Sequence, residues 1–179
     1  NKQIFFENND FILESLKLDH NVACIGYSFI EKDKRNIDVN YIKKFGLKQH
    51  PILKELQQGK DIIWKDQKIK ASLATKIKKG KKITFITDTQ YCNNAIKLAK
   101  NSDLLISEAT HLEELKEKAE LYKHLTAKDA ASIAKKAKVK RLILTHFSQR
   151  YKDVSLIKEE AKKVFSNVEL ANDFMSLNV

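Results

Sequence analysis

From residue 82 onward, short apolar runs alternate with stretches of helical periodicity, and this alternation narrows the fold class more than any other feature. The runs at 83–87, 104–107, 141–145 and 168–171 read as strands, and the intervening 94–100, 113–122, 127–138 and 155–165 read as helices. That order is α/β. Helix 127–138 carries the clearest signals. Thr126 can cap it with Asp129 three residues on, and Ala127, Ala130, Ala131, Ala134 and Ala137 form a small-residue stripe suited to close packing. The first thirty residues read as strands at 4–6, 11–18 and 22–30, interrupted by Asn8-Asn9-Asp10 and Asp19-His20-Asn21.

The stretch 31–81 has a different texture. It is strongly basic and holds the only proline, the only tryptophan and three of the four glycines. Short helices at 39–45 and 52–57 and weak strands at 61–64 and 68–71 are expected there, and the segment reads as an insertion or arm. With 179 residues and 42% hydrophobic content, the chain can bury one real core. Its net charge of +11 favours polyanionic partners, nucleic acid ahead of an anionic membrane surface, with a lysine-rich compositional bias as the plain alternative. No apolar run approaches the ~18 residues of a membrane span, and no signal peptide is expected. Two cysteines without metal or disulfide spacing fit a reducing cytoplasm. The chain opens on strand-like sequence without an initiator Met, so it is expected to be a piece of a longer protein.

Three apolar runs end in a polar group: 83–87 in Asp88, 104–107 in Glu108 and 141–145 in His146. Strand C-termini share one edge of an α/β sheet, so these residues can converge despite their separation. Each alone reads more readily as a cap or turn residue; together they read as a site. Imidazole and carboxylate without thiolate suit zinc or manganese, and phosphodiester hydrolysis needs an activated water and charge stabilisation. His20 lies in a turn, where a histidine is commonly just solvated. His124 precedes the Thr126-capped helix, where it can act as a proton donor with Glu108 or simply pack at the surface. Arg150, two residues beyond Ser148, fits a phosphate clamp or a salt bridge with Asp153. His50 and His111 read as structural or surface groups.

These segments resemble a known family, the tRNA 3′-processing endonuclease tRNase Z (RNase Z) of the metallo-β-lactamase superfamily. The matching stretches are Asp19-His20-Asn21-Val22, Gly26-Tyr27-Ser28-Phe29-Ile30-Glu31, Thr87-Asp88-Thr89, Ser107-Glu108-Ala109-Thr110, His124-Leu125-Thr126, and Leu144 through Tyr151. The resemblance implies an α/β fold, the C-terminal half of an αββα sandwich filling 1–179, with 32–81 as a protruding arm that grips tRNA. It implies two zinc ions in the complete site, with His20 and His146 as ligands and Asp88 bridging. Glu108 and His124 would form the proton-donating pair, and Ser148 and Arg150 would hold the scissile phosphate. It further implies a cytoplasmic homodimer acting on pre-tRNA and leaving a 3′-hydroxyl. The chain departs from the family pattern in having His50-Pro51 for Gly-Pro and Ser107 for His. It also lacks the His-x-His-x-Asp-His motif, so this segment alone is expected to be inactive and to bind zinc poorly.

Two rivals remain at this point. One is another hydrolase of the same superfamily acting on a small phosphodiester, which would have no need of a basic arm. The other is a non-catalytic RNA-binding module, which would have no need of His124, Glu108 and His146 together.

Overall fold

The computed structural model describes residues 3–179, which form two compact units: 3–31 with 81–179, and 32–80. The first is built on a seven-stranded sheet. Strands β1 (Gln3–Glu7), β2 (Phe11–Lys17) and β3 (Ile25–Glu31) form an antiparallel meander, and β3 pairs antiparallel with β8 (Lys82–Ile86). From β8 the sheet is parallel through β9 (Leu104–Glu108), β10 (Arg141–Thr145) and β11 (Val168–Leu170). Each parallel step needs a crossover, which the helical stretches supply: α4 (Asn93–Ala99), α5 (Lys116–Tyr122), α6 (Ala127–Lys136) and α7 (Ser155–Lys162).

The pleat sorts side chains between two faces. Leu16, Ile86, Leu105, Leu142 and Leu144 share the face that meets the alanine stripe of α6, and all are buried in one apolar cluster. Thr126 caps α6, accepting the Asp129 N–H at 3.1 Å while the Asp129 carboxylate returns to the Thr126 hydroxyl and N–H. Gly26 has a packing reason. A Cβ there would stand 2.7 Å from Leu98 Cδ2 of α4 and 3.2 Å from the Phe85 carbonyl, so glycine lets the Leu98 side chain sit against the strand without shifting.

The opposite face is open over β3 and β8, while Leu104 and Ile143 on it are buried. Register places Tyr27, Phe29 and Phe85 on it, 43, 38 and 43% exposed, and Phe11 packs against Phe29 at 5.1 Å between rings. The first unit thus supplies one sheet and the helix layer on one side of it.

The unit Lys32–Gly80 has its own apolar centre, formed by Ile42, Leu47, Leu56, Ile62, Ile69, Ala71 and Ala74. Around it lie a ribbon of β4 (Lys34–Ile37) with β7 (Thr75–Lys78), a hairpin of β5 (Ile62–Trp64) with β6 (Gln67–Ile69), and helices α1 (Val39–Lys43), α2 (Leu53–Gln57) and α3 (Ala71–Ala74). The hairpin turns on Lys65 and Asp66, both at positive φ, the backbone that matches strand twist in a two-residue loop. Among the described residues no helix is long and apolar enough to cross a membrane.

Candidate metal and proton-transfer site

The ends of β8, β9 and β10 lie side by side, because Glu108 pairs in register with Thr145 and Ile86 with Ser107. Since β2 and β3 run antiparallel into this sheet, the loop between them, carrying His20, reaches the same edge. Asp88 and His146 leave their strands in the left-handed region, φ 51° and 56°, which Asp and His tolerate better than most residues. That bend brings the Asp88 carboxylate to 3.6 Å from His146 Nε2.

Glu108 is fully buried and its oxygens accept only. Oε1 takes the Thr89 N–H at 2.6 Å. Oε2 takes the Thr110 hydroxyl at 2.7 Å and the Leu125 N–H at 3.1 Å, and lies 3.0 Å from His124 Nδ1. This network compensates the burial of a carboxylate. The hydrogen bond to Glu108 outweighs burial and lifts the His124 pKa above the ordinary imidazole value.

The other two imidazoles are fixed in the same way. His20 Nδ1 donates to the Lys123 carbonyl at 3.0 Å, and the adjacent Asp19 is held by Lys123 Nζ at 2.9 Å and Gln90 Nε2 at 2.7 Å. His146 Nδ1 lies 3.0 Å from the Thr110 hydroxyl; with the hydroxyl proton on Glu108, that oxygen accepts from the ring. All three rings are thus anchored through Nδ1, which in a neutral imidazole leaves Nε2 as the lone-pair nitrogen, the arrangement found behind metal-binding histidines. Ring centroids stand 5.2 Å apart for His20 and His124, and 5.4 Å for His124 and His146.

Among the described residues, two sets of potential metal-ligating side chains have donor atoms within 4.8 Å of one another: His20, Asp88 and His124, and Glu108, His124 and His146. The nitrogen and carboxylate donors suit a borderline divalent cation. His124 belongs to both sets, although the sequence points to it as a proton donor.

Ser148 and Arg150 lie beside this cluster in sequence and are joined by an Arg150 Nε to Ser148 Oγ bond of 3.1 Å, while the Ser148 N–H donates to the Thr110 carbonyl. The Asp153 carboxylate accepts from Ser155, and the bond seen at Arg150 is the one to Ser148. Thr89, Thr110 and Lys123 escape sequence reading as site residues; the polar hydroxyls flanking Asp88 and Glu108 are the one signal that points to two of them. His111 is buried, its Nδ1 has no partner among the described residues, and burial depresses its pKa. His50 packs edge-on against Trp64, 4.9 Å between rings.

Residues 54–147 match the model of the beta-lactamase superfamily domain. The chain belongs to that superfamily. Solved structures agree on the superfamily's metallo-β-lactamase fold: human tRNase Z, short form, aligns with TM-score 0.57 and 25% identity over 100% of this chain and 47% of its own. The metallo-beta-lactamase fold protein YhfI from Bacillus subtilis aligns with TM-score 0.59 and 21% identity, over 95% of this chain and 50% of that one. Among curated superfamily relatives, a protein named ribonuclease Z from Protochlamydia amoebophila (strain UWE25) is 40% identical over 95% of this chain and 55% of its own length. Another so named, from Archaeoglobus fulgidus, is 40% identical over 94% and 56%. The chain spans about half the length of the curated relatives it matches.

Proposed function

We propose that this chain is part of a zinc-dependent endoribonuclease that removes the 3′ trailer from pre-tRNA and leaves a 3′-hydroxyl. The observation that carries the reading is the Glu108–His124 pair, a buried carboxylate with every oxygen engaged and a raised-pKa imidazole, set among Nδ1-anchored histidines. The similarity to proteins named ribonuclease Z supports it.

His20, Asp88 and His146 would hold two zinc ions together with ligands this chain lacks, because no His-x-His-x-Asp-His motif occurs in it. Zinc there would supply water activation and charge stabilisation at the phosphate. His124, kept protonated toward neutrality by Glu108, would deliver its proton to the leaving 3′ oxygen. Glu108 would keep that imidazole oriented, and Arg150 with Ser148 would hold phosphate oxygens through a planar fork and a hydroxyl.

Charge distribution argues for a large polyanionic substrate. Residues 32–80 hold fourteen basic and five acidic residues, against 34 and 23 in the whole chain, so nearly all of the excess lies in this unit. We infer that it is the RNA-gripping arm, its lysines contacting phosphates that position rather than specify. The active protein would be a homodimer in the cytoplasm.

Cleavage of a 3′-extended tRNA tests the reading. The 179-residue chain with zinc should not cut. A protein that adds the missing histidine motif should cut after the discriminator base, and Glu108→Gln or His124→Ala in it should lower kcat about 10²-fold or more. Removing 32–80 should abolish pre-tRNA cleavage and spare a small chromogenic phosphodiester. Equal losses on both substrates would favour a small-molecule phosphodiesterase, and turnover by the isolated chain would overturn the assignment of ligands.

A further inference from the structure

Glu160 lies on α7, outside the cluster at the sheet edge, and its neighbour Glu159 is exposed as a helix-surface glutamate ordinarily is. Glu160 instead turns inward to the starts of two other helices. The Glu113 N–H, first in the 3₁₀ turn Glu113–Leu115, donates to both of its oxygens at 3.0 Å. The Lys128 N–H, in the first turn of α6, donates to Oε1 at 3.3 Å. Helix starts leave such N–H groups without partners inside the helix, and one carboxylate here serves two of them. Burial raises the Glu160 pKa, so the position costs something that a solvent-facing glutamate would not incur.

The two helix starts belong to the segments that carry the proton-transfer pair. One runs from Glu108 through Thr110 and His111 to Glu113; the other runs from His124 through Thr126 to Lys128. They lie alongside each other through the His111 N–H to Leu125 carbonyl bond of 3.3 Å and the Ala127 N–H to His111 carbonyl bond of 2.8 Å. Farther along, the Thr126 hydroxyl lies 3.0 Å from the Glu113 carboxylate, and Lys128 Nζ pairs with that same carboxylate at 3.1 Å. Glu160 closes the end of this ladder, and Glu108–His124 occupies its beginning.

We propose that Glu160 is a positioning residue for the Glu108–His124 pair: by capping both helix starts at once it fixes the spacing of the two segments and hence the 3.0 Å bond between the pair. Its importance to catalysis rests on the function proposed above. Its structural content does not.

Amide hydrogen exchange by NMR on the 179-residue chain separates the two. In Glu160→Ala the Glu113 and Lys128 amides should exchange faster. So should Leu125 and Thr89, whose N–H groups go to Glu108, by roughly tenfold, with the sheet amide of Leu142 unchanged. Glu160→Gln, whose single carbonyl oxygen can still accept both N–H groups, should recover most of the protection. Loosening confined to Glu113 and Lys128 would reduce Glu160 to a plain cap. Uniform acceleration that includes Leu142 would reduce it to a stability residue. Either result overturns the proposal. In a cleavage-competent protein Glu160→Ala should lower kcat at constant KM, with recovery in Gln; an unchanged kcat also overturns it. If the unsubstituted protein leaves pre-tRNA intact, the function fails while the exchange result stands.

Discussion

Thr110 has the most consequential hydroxyl in the molecule. It stands 2.7 Å from Glu108 Oε2 and 3.0 Å from His146 Nδ1, so a single proton and lone pair orient a carboxylate and an imidazole together. Thr110→Val keeps the shape and removes these contacts together with the one to the His146 carbonyl at 3.1 Å. Loss of such an anchor weakens metal affinity by about 10- to 100-fold, and chelator competition in a protein with the complete ligand set should show it. An unchanged affinity would mean that the His146 ring is held by packing alone. At this scale the sequence was partly legible. Asp88, Glu108, His124 and His146 stand out because they end apolar runs or precede a capped helix. Thr89, Thr110 and the Lys123 carbonyl do not, since their roles depend on partners brought close by folding; Lys123 meets His20 across 103 residues.

At the scale of elements, Gly26 tests how tightly α4 is seated on the sheet. Gly26→Ala places a methyl group against Leu98, Leu18 and the Phe85 carbonyl, and overpacking of this kind costs about 1–3 kcal/mol. Urea denaturation at constant m-value should show that loss; a neutral result would mean that Leu98 swings aside freely. The elements from 82 onward were readable within a few residues, because buried strands and an alanine-striped helix have strong periodicities. The helix expected over 113–122 divides into Glu113–Leu115 and α5, with Leu115 at φ −108° and ψ 27°. Its first N–H goes to Glu160, a partner that local periodicity does not reveal. Strands β4 and β7 and helix α3 were not legible. Each is four residues long, and β4 and β7, each half basic, find each other across some forty residues.

At the scale of the molecule, acid should weaken the basic unit. Lys79 holds the Asp33 carboxyl, Lys76 that of Asp38, and the Ala71 N–H that of Asp61, each below the ordinary aspartate value. A pKa lower in the folded than in the unfolded chain gives stability that is present above about pH 4 and disappears as pH falls through the folded value. Trp64, the only tryptophan, lies in this unit and reports on it. Its fluorescence-detected urea midpoint should fall from pH 5 to 3 and change little between pH 8 and 5; a flat profile would show that these contacts add nothing net. The anchoring of the three histidines has a broader consequence. Each ring is anchored by a segment other than its own: the Lys123 carbonyl holds His20, while Glu108 and Thr110, both on the segment that ends β9, hold His124 and His146. The loops are therefore not interchangeable parts. A shift in the backbone at Lys123, or loss of the Glu108 or Thr110 side chain, would free a histidine carried on another segment, so these segments constrain one another.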